Sequence, residues 1–301
     1  MISYATPHAF RAALKARCVE ITARAPQLSI DDLQRQFAYD RVLARCFTGE
    51  DAQFWVLKGA GALLSRLEGQ ARHSKDIDLY FAEQAADTDR AVQALVAALD
   101  LDLADHFRFE VTRISSLQEA AKGRRVHLTA YLGTRFASFH VDVVVGTAMS
   151  GAPDHVPPLT PLEFDGLERP PYRVFPVADH VADKLCAILE SHDMGDGTIR
   201  ASSRVKDLVD IALIARSQSI SGRELRAAVL AGAEHRGLTL TGQFEVPDVA
   251  AWRWGYPNRA ADVPGPVPTF DEAVDVAARL LDPVLAGAVA ERWDPTASRW
   301  L

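Results

Sequence analysis

Residues 56–81, "VLKGAGALLSRLEGQARHSKDIDLYF", decide the fold. The run "FWVLKG" (54–59) reads as a short apolar strand ending in Gly59, and "AGALLSRLEG" reads as a helix closed by Gly69. "HSKDIDLYF" (73–81) then reads as a second strand. Side chains alternate along a strand, so Asp76, Asp78 and Tyr80 share one face, and Ile77, Leu79 and Phe81 the other. Two carboxylates spaced in this way lie roughly 6.5–7 Å apart at their Cα atoms, close enough to converge on one or two cations. Plain solvent exposure is the alternative, since a half-buried strand often has a polar outer face. The surrounding sequence decides between them.

Upstream, Phe10, Leu14, Val19 and Ile21, then Leu33, Phe37, Val42 and Leu43 beyond Pro26, carry helical spacing over residues 7–47, with Ser29 as an N-cap. Downstream, "DTDRAVQALVAALD" (87–100) is a helix with Val92, Leu95, Val96 and Leu99 on its apolar side. Three strand candidates follow, "FRFEVTRI" (107–114), "RVHLTAYL" (125–132) and "SFHVDVVVG" (138–146). Short connections near Lys122 and Thr134 favour antiparallel pairing of these three. The expected class is α+β, a mixed sheet with flanking helices. Residues 151–177 hold seven prolines and read as an extended crossover. Beyond it helices are expected over 177–192, 203–216, 221–235 and 270–290, with a polar, Pro/Gly-rich interruption at 241–268. The expected division is residues 1–170, a sheet domain with N-terminal helices, and 171–301, a mainly helical C-terminal domain.

The 301 residues carry a net charge of −7, with a pI near 5.7, which argues against a general nucleic-acid coat but leaves room for a local basic cleft. Arg66, Arg72 and Lys75, the "KGRR" run at 122–125, and Arg200, Arg204 and Lys206 are candidates for one. No run of about 18 apolar residues is present, so no membrane span is expected. The start lacks a basic-then-apolar signal layout, and the expected location is the cytoplasm. Cys18, Cys46 and Cys186 are odd in number and far apart, and read as small core residues.

Asp142 extends the acidic theme. In "FHVDVVVG", Phe139, Val141, Val143 and Val145 share one face, which leaves Asp142 on the other with His140 and Val144. If this strand lies beside the first acidic one, three carboxylates meet on one side of the sheet. Such acids repel one another unless a cation is bound, and Mg²⁺ takes oxygen ligands of this kind. Further on, "VADHVADKLCAILESH" sets Val177, Val181, Leu185 and Ile188 on one helix face with Lys184 at its edge. Lys184 either snorkels outward, the commoner outcome, or points its ammonium at an anion. "RVKDLVDIALIA" places Asp207 and Asp210 on one side of a helix, where a solvated edge with a local Lys206–Asp210 pair is the simple expectation.

Strand, Gly-rich turn, helix and a basic-Ser-x-Asp-hydrophobic-Asp strand is a layout that resembles the nucleotidyltransferase-fold superfamily. It is most similar to the AbiEii/MenT group of bacterial nucleotidyltransferase-like toxins, the toxin halves of toxin–antitoxin and abortive-infection systems. The group's first motif runs Lys-Gly-Gly-Thr/Ser-Ala-Leu and then Ser-x-Asp-hydrophobic-Asp. Lys58, Gly59, Ala62, Leu63, Ser74, Asp76 and Asp78 match it, while Ala60 replaces the second Gly and Gly61 the hydroxyl residue that contacts nucleotide phosphates. "KLCA" at Lys184 and "KDLVD" at Asp207 and Asp210 match the later motifs, so the resemblance covers 54–81, 138–146 and 177–214.

The resemblance implies Mg²⁺-dependent nucleotidyl transfer (Mn²⁺ being the alternative) from an NTP to a tRNA 3′ end, with growth arrest as the outcome and an antitoxin partner. It gives metal binding to Asp76, Asp78 and Asp142, and phosphate binding to the turn at Lys58, Gly59, Ala60 and Gly61 with Ser74. Lys184 is to neutralise the triphosphate. Asp207 and Asp210 are to orient Lys184 or to contact base or ribose, and the C-terminal domain is to bring these groups to the cleft. Arg66, Arg72, Lys75 and Arg204 are the expected tRNA contacts. The rivals are transfer to an aminoglycoside-like small molecule or a protein, and an inactive nucleotide- or partner-binding module.

Overall fold

The structure is a computed structural model that describes residues 4–68, 70–117, 122–193, 198–288 and 291–301. Gly69, the expected helix-closing glycine, lies outside them. The chain divides into two compact units, residues 1–147 with 155–174, and residues 148–154 with 175–301.

The first unit opens with α1 (Pro7–Arg24) and α2 (Ile30–Thr48), which start at Thr6 and Ser29; these side chains accept hydrogen bonds from Ala9 N and Asp32 N. There follow β1 (Trp55–Leu57), α3 (Gly59–Arg66), β2 (Ile77–Phe81), α4 (Thr88–Leu99), β3 (Phe107–Ser116), β4 (Gly123–Leu132), β5 (Thr134–Val144), β6 (Asp154–Val156) and β7 (Tyr172–Val174). They make a seven-stranded mixed sheet of order β3-β4-β5-β2-β1-β7-β6. The meander β3–β4–β5 is antiparallel, β5 runs parallel to β2, β2 antiparallel to β1, and β1 parallel to β7. The α+β mixed sheet expected from the sequence is therefore what forms.

One face of this sheet is the core. Ile77, Leu79, Val126, Leu128, Val141 and Val143 are buried there, and α4 lies over β3–β5 with Ala91 and Leu95 inward. A Val or Leu buried in this way stabilises the fold by roughly 1.5–3 kcal/mol. α2 is fixed by charge as well as packing. Arg45 forks onto Asp105 at 2.9 and 2.8 Å, and Arg41 adds a third bond at 2.7 Å. Burial pushes the Asp105 carboxyl up, but the two guanidiniums outweigh it and hold the group below its ordinary range. Asp40, one residue before Arg41, accepts from Leu159 N, Thr160 N, Thr160 Oγ1 and Tyr172 Oη, and so fastens the Pro-rich crossover to α2. Its burial nonetheless raises its pKa.

The second unit is mainly helical: α5 (Val177–Leu189), a hairpin of β8 (Ser191–Asp193) and β9 (Ile199–Ala201), α6 (Val205–Ser217), β10 (Ile220–Ser221), α7 (Gly222–Arg236), α8 (Val249–Ala260), α9 (Phe270–Leu285), β11 (Arg292–Asp294) and β12 (Arg299–Trp300). α6 is central, packing on α5, α8 and α9. The stretch 241–268 departs from its reading as an interruption, because it contains α8. Asp248 caps it by accepting from Ala251 N, and Trp252 and Tyr256, one turn apart, are both buried. Trp252 Nε1 donates to Ser202 O and Tyr256 Oη to Pro268 O, so tertiary anchors outweigh the breaker at Pro257. No helix among the described residues is long and apolar enough to cross a membrane.

Candidate active site

The second face of the sheet is polar, and its register arranges the chemistry in rows. Asp78 pairs with Asp142 across β2–β5, and Asp142 with Arg125 across β5–β4. The next row sets His140 opposite His127, and the one after sets Ser138 opposite Thr129. In β3 a bulge at Thr112 shifts the register, so that Arg113 rather than Thr112 faces His127.

Asp76, His140 and Asp142 each offer a ligand atom, all within 4.8 Å of one another. His140 Nε2 lies 3.4 Å from Asp76 Oδ2 and has no hydrogen-bond partner among the described residues. Arg125 grips Asp142 with two parallel bonds, Nε to Oδ1 at 2.8 Å and Nη2 to Oδ2 at 2.7 Å. That hydrogen bond raises the Arg125 pKa further above its already high value. Two carboxylates and an imidazole with an orphaned nitrogen fit a divalent cation: oxygen donors suit Mg²⁺, and the nitrogen suits Mn²⁺ and the later metals better.

Asp78 stands outside this trio, and its carboxylate is directed at the start of α3. Lys58 N donates to Asp78 O at 2.8 Å, and Gly59 follows with φ +61°. A Cβ at Gly59 would fall 1.9 Å from Asp78 Oδ2. Glycine is required here twice, by the left-handed backbone and by the carboxylate that occupies the side-chain position.

Ser74 is fully buried and positions the acidic strand. Its Oγ donates to Asp76 O at 2.6 Å and lies 3.3 Å from Asp76 Oδ1. α2 holds the same loop from behind, through Gln36 Nε2 to Ser74 O and Tyr39 Oη to Lys75 O, both 2.8 Å. Neither contact was visible as sequence pattern, because the partners lie more than thirty residues apart.

The second unit gathers the later motif residues. Lys184 Nζ lies 2.6 Å from Asp210 Oδ2 and 3.2 Å from Asp207 Oδ1. Lys184 is 5% exposed and Asp210 fully buried, which corrects the snorkelling expectation and the reading of Asp207 and Asp210 as a solvated helix edge. The reason is that α5 and α6 pack side by side, so the edge of each apolar stripe faces the other helix. Arg204, expected to contact tRNA, sits one turn before Asp207 with Nε 2.8 Å from its Oδ2.

The family described as "Nucleotidyl transferase AbiEii toxin, Type IV TA system" matches residues 41–276, more than three quarters of the chain. The chain belongs to the AbiEii family. No curated protein matches it at a significant level. Among solved structures, JHP933 from Helicobacter pylori is 14% identical with a TM-score of 0.38, covering 67% of this chain and 73% of its own. A second H. pylori protein, described as a candidate nucleotidyltransferase, is 12% identical with a TM-score of 0.39, covering 90% and 91%.

All the site residues read from the sequence fall inside the AbiEii match. The structure brings Asp76 and Asp142 together, sets Asp78 against the turn, and joins Lys184 to Asp207 and Asp210. Ala60 and Gly61 lie in the first turn of α3 with Lys58 as its N-cap. A Cβ at Gly61 would meet Leu57 at 3.4 Å and Leu159 at 3.9 Å, ordinary contact distances. Of the remaining expected tRNA contacts, Lys75 is exposed, and Arg66 and Arg72 are half-buried. His140 is the residue the sequence reading did not assign. Its signal was present, since "HVD" repeats on β5 the alternation of "DID" on β2.

Proposed function

We propose that this AbiEii chain is a cytoplasmic toxin that transfers a nucleotidyl group from an NTP to a tRNA 3′ end, blocking translation until an antitoxin restrains it. The observation that carries this is the convergence of Asp76, His140 and Asp142 beside the Gly59 turn, in a nucleotidyltransferase family. The first unit is the nucleotidyltransferase domain and the second the helical C-terminal domain, with the boundary near residue 170.

The acceptor hydroxyl oxygen attacks the α-phosphorus of the NTP. A new P–O bond forms, the bond to the β-phosphate breaks, and pyrophosphate leaves as the hydroxyl proton passes to a base. Amides of the first turn of α3, with Lys58, bind and orient the phosphates, and the buried Ser74, expected among them, instead positions Asp76. Asp76, His140 and Asp142 would hold Mg²⁺, or Mn²⁺ in its place, while Asp78, expected as a third carboxylate ligand, lies against the Gly59 turn. When bound, the cation supplies positive charge against the triphosphate and acidifies the acceptor hydroxyl. Asp142 accepts the proton, and Arg125 keeps that carboxylate aimed. Within the second unit Asp207 and Asp210 orient Lys184.

The test is incubation with Mg²⁺ and each labelled NTP, together with total tRNA, an aminoglycoside panel, or neither. Label is expected on tRNA with wild type and not with Asp76→Ala. Label only on a small molecule or on the protein itself overturns the tRNA assignment. The Arg125–Asp142 pair favours a second reading, an inactive binding module; NTP binding with no transfer to any acceptor supports that one instead.

A further inference from the structure

The polar face does not end at the carboxylates. Beyond His140 it continues into a groove of about 510 Å³ lined by His127, Thr129, Tyr131, Arg135, Ser138 and His140. That size falls within the roughly 300–1,000 Å³ of ordinary ligand sites. We propose that this groove is the acceptor subsite, holding the terminal nucleotides of an RNA 3′ end so that its hydroxyl meets Asp142. This rests on the transfer function proposed above and names where its acceptor sits.

Three observations carry it. First, His140 is shared: it lines the groove and belongs to the trio with Asp76 and Asp142, so a ligand filling the groove ends at the carboxylates. The Gly59 turn abuts Asp78, which is in register with Asp142, whereas the groove runs back along β5 from His140 towards Arg135. The carboxylates thus stand between two places, one for phosphates and one for an acceptor.

Second, the groove offers hydroxyls, imidazoles and a guanidinium. Thr129 Oγ1 and Ser138 Oγ lie 3.1 Å apart, Arg135 Nη2 donates to Ser138 Oγ at 2.9 Å, and the His127 and His140 rings are 5.8 Å apart. These groups, beside the apolar Leu128 and Phe139, match ribose hydroxyls, phosphate oxygens and base faces. At the far end the Arg108 guanidinium lies 4.2 Å from the Tyr131 ring centroid, a stacked cation and aromatic of the kind on which unpaired bases settle.

Third, charge is concentrated here. In a chain of net charge −7, the strand register sets Arg108, Arg113, Arg125 and Arg135 on the groove's face against Glu110 and Asp142, while Lys122 and Arg124 lie beside Asp87 and Thr88 at the start of α4. This is the local basic surface that an acidic protein needs in order to hold a polyanion.

The experiment measures binding of fluorescein-labelled tRNA to the full chain by anisotropy, using tRNA with an intact 3′ end and tRNA trimmed at that end. Labelled NTP binding and NTP-to-tRNA transfer are scored in parallel. Tyr131→Ala and Arg135→Ala are each expected to weaken intact tRNA about tenfold, leave NTP binding unchanged and abolish the preference for the intact end. The exposed Arg223→Ala on α7 is the charge-matched control and is expected to bind as wild type. Variants that hold tRNA like wild type overturn the groove, as do variants that lose NTP binding instead. If the groove variants weaken tRNA binding but wild type transfers nothing to tRNA, the groove stands and the transfer function fails. If transfer proceeds and binding ignores these variants, the function stands and the groove fails.

Discussion

On the sheet face, Arg125 grips Asp142 through two short bonds while 39% and 12% of their side-chain surfaces stay open. Between α5 and α6, Lys184 holds Asp210 at 2.6 Å and Asp207 at 3.2 Å with 5% or less of any of the three exposed. The residue types are alike and the solvent is not. A cation–carboxylate pair in contact with water gains little stability, because water competes for both partners, and it can trade one partner for another at small cost. A sealed pair is different: removing one partner strands a charge where nothing else can solvate it. The open pair is therefore placed to take part in binding, and the sealed cluster primarily sets how α5 meets α6.

The largest effect expected from this contrast is on stability. Lys184→Met leaves two buried carboxylates without their ammonium and is expected to cost about 3–5 kcal/mol in urea unfolding of the full chain. Arg125→Met, on the open face, is expected to cost less than about 1 kcal/mol. Equal losses in the two variants would break the comparison.

Next comes the turn that faces the open site. Gly59→Ala forces a left-handed backbone on an L residue, at about 1–2 kcal/mol, and drives a methyl into the Asp78 carboxylate. It is expected to lose nucleotide binding together with that stability. A variant that binds labelled NTP like wild type would show that the close approach of Asp78 is incidental.

The smallest effect is a change of pH dependence in the buried network of α2. Asp105 has a lowered folded pKa, so its contribution is fully present above its unfolded value, near 4, and is lost as pH falls through the folded value. The stability gap between wild type and Asp105→Asn is expected to narrow below about pH 4. Asp40 has the opposite sign: its pKa is raised, so its linkage favours the fold below its unfolded value and fades as pH rises through the folded one. Thermal melts from pH 3 to 7 read both trends, and a gap that stays constant below pH 4 would contradict the Asp105 assignment.

Much of the fold could be read from residue spacing. The alternation in "DIDLYF" and "FHVDVVV" fixed which faces carry acid, and their parallel pairing then brought Asp76 and Asp142 together. What could not be read depended on contacts distant in the chain. The partners of Lys184 lie 23 and 26 residues away, on a second helix whose packing no local period reveals. α8 was hidden because Gly255 and Pro257 are local breakers, whereas the anchors of Trp252 and Tyr256 are tertiary. His140 was legible in parity but not in role, since an imidazole on a polar strand face acquires meaning only from the acids beside it.

The most direct measurement is a Mn²⁺ titration of the NTP-loaded full chain followed by electron paramagnetic resonance, comparing wild type with Asp76→Asn, His140→Gln, Asp142→Asn and the Arg223→Ala control. The open face is predicted to hold the cation, so the first three variants should each weaken Mn²⁺ binding at least about tenfold, the size of effect expected when a ligand or its close support is removed. Arg223→Ala should bind as wild type. Mn²⁺ binding unchanged in all three site variants would contradict the assignment of this face as the centre of transfer.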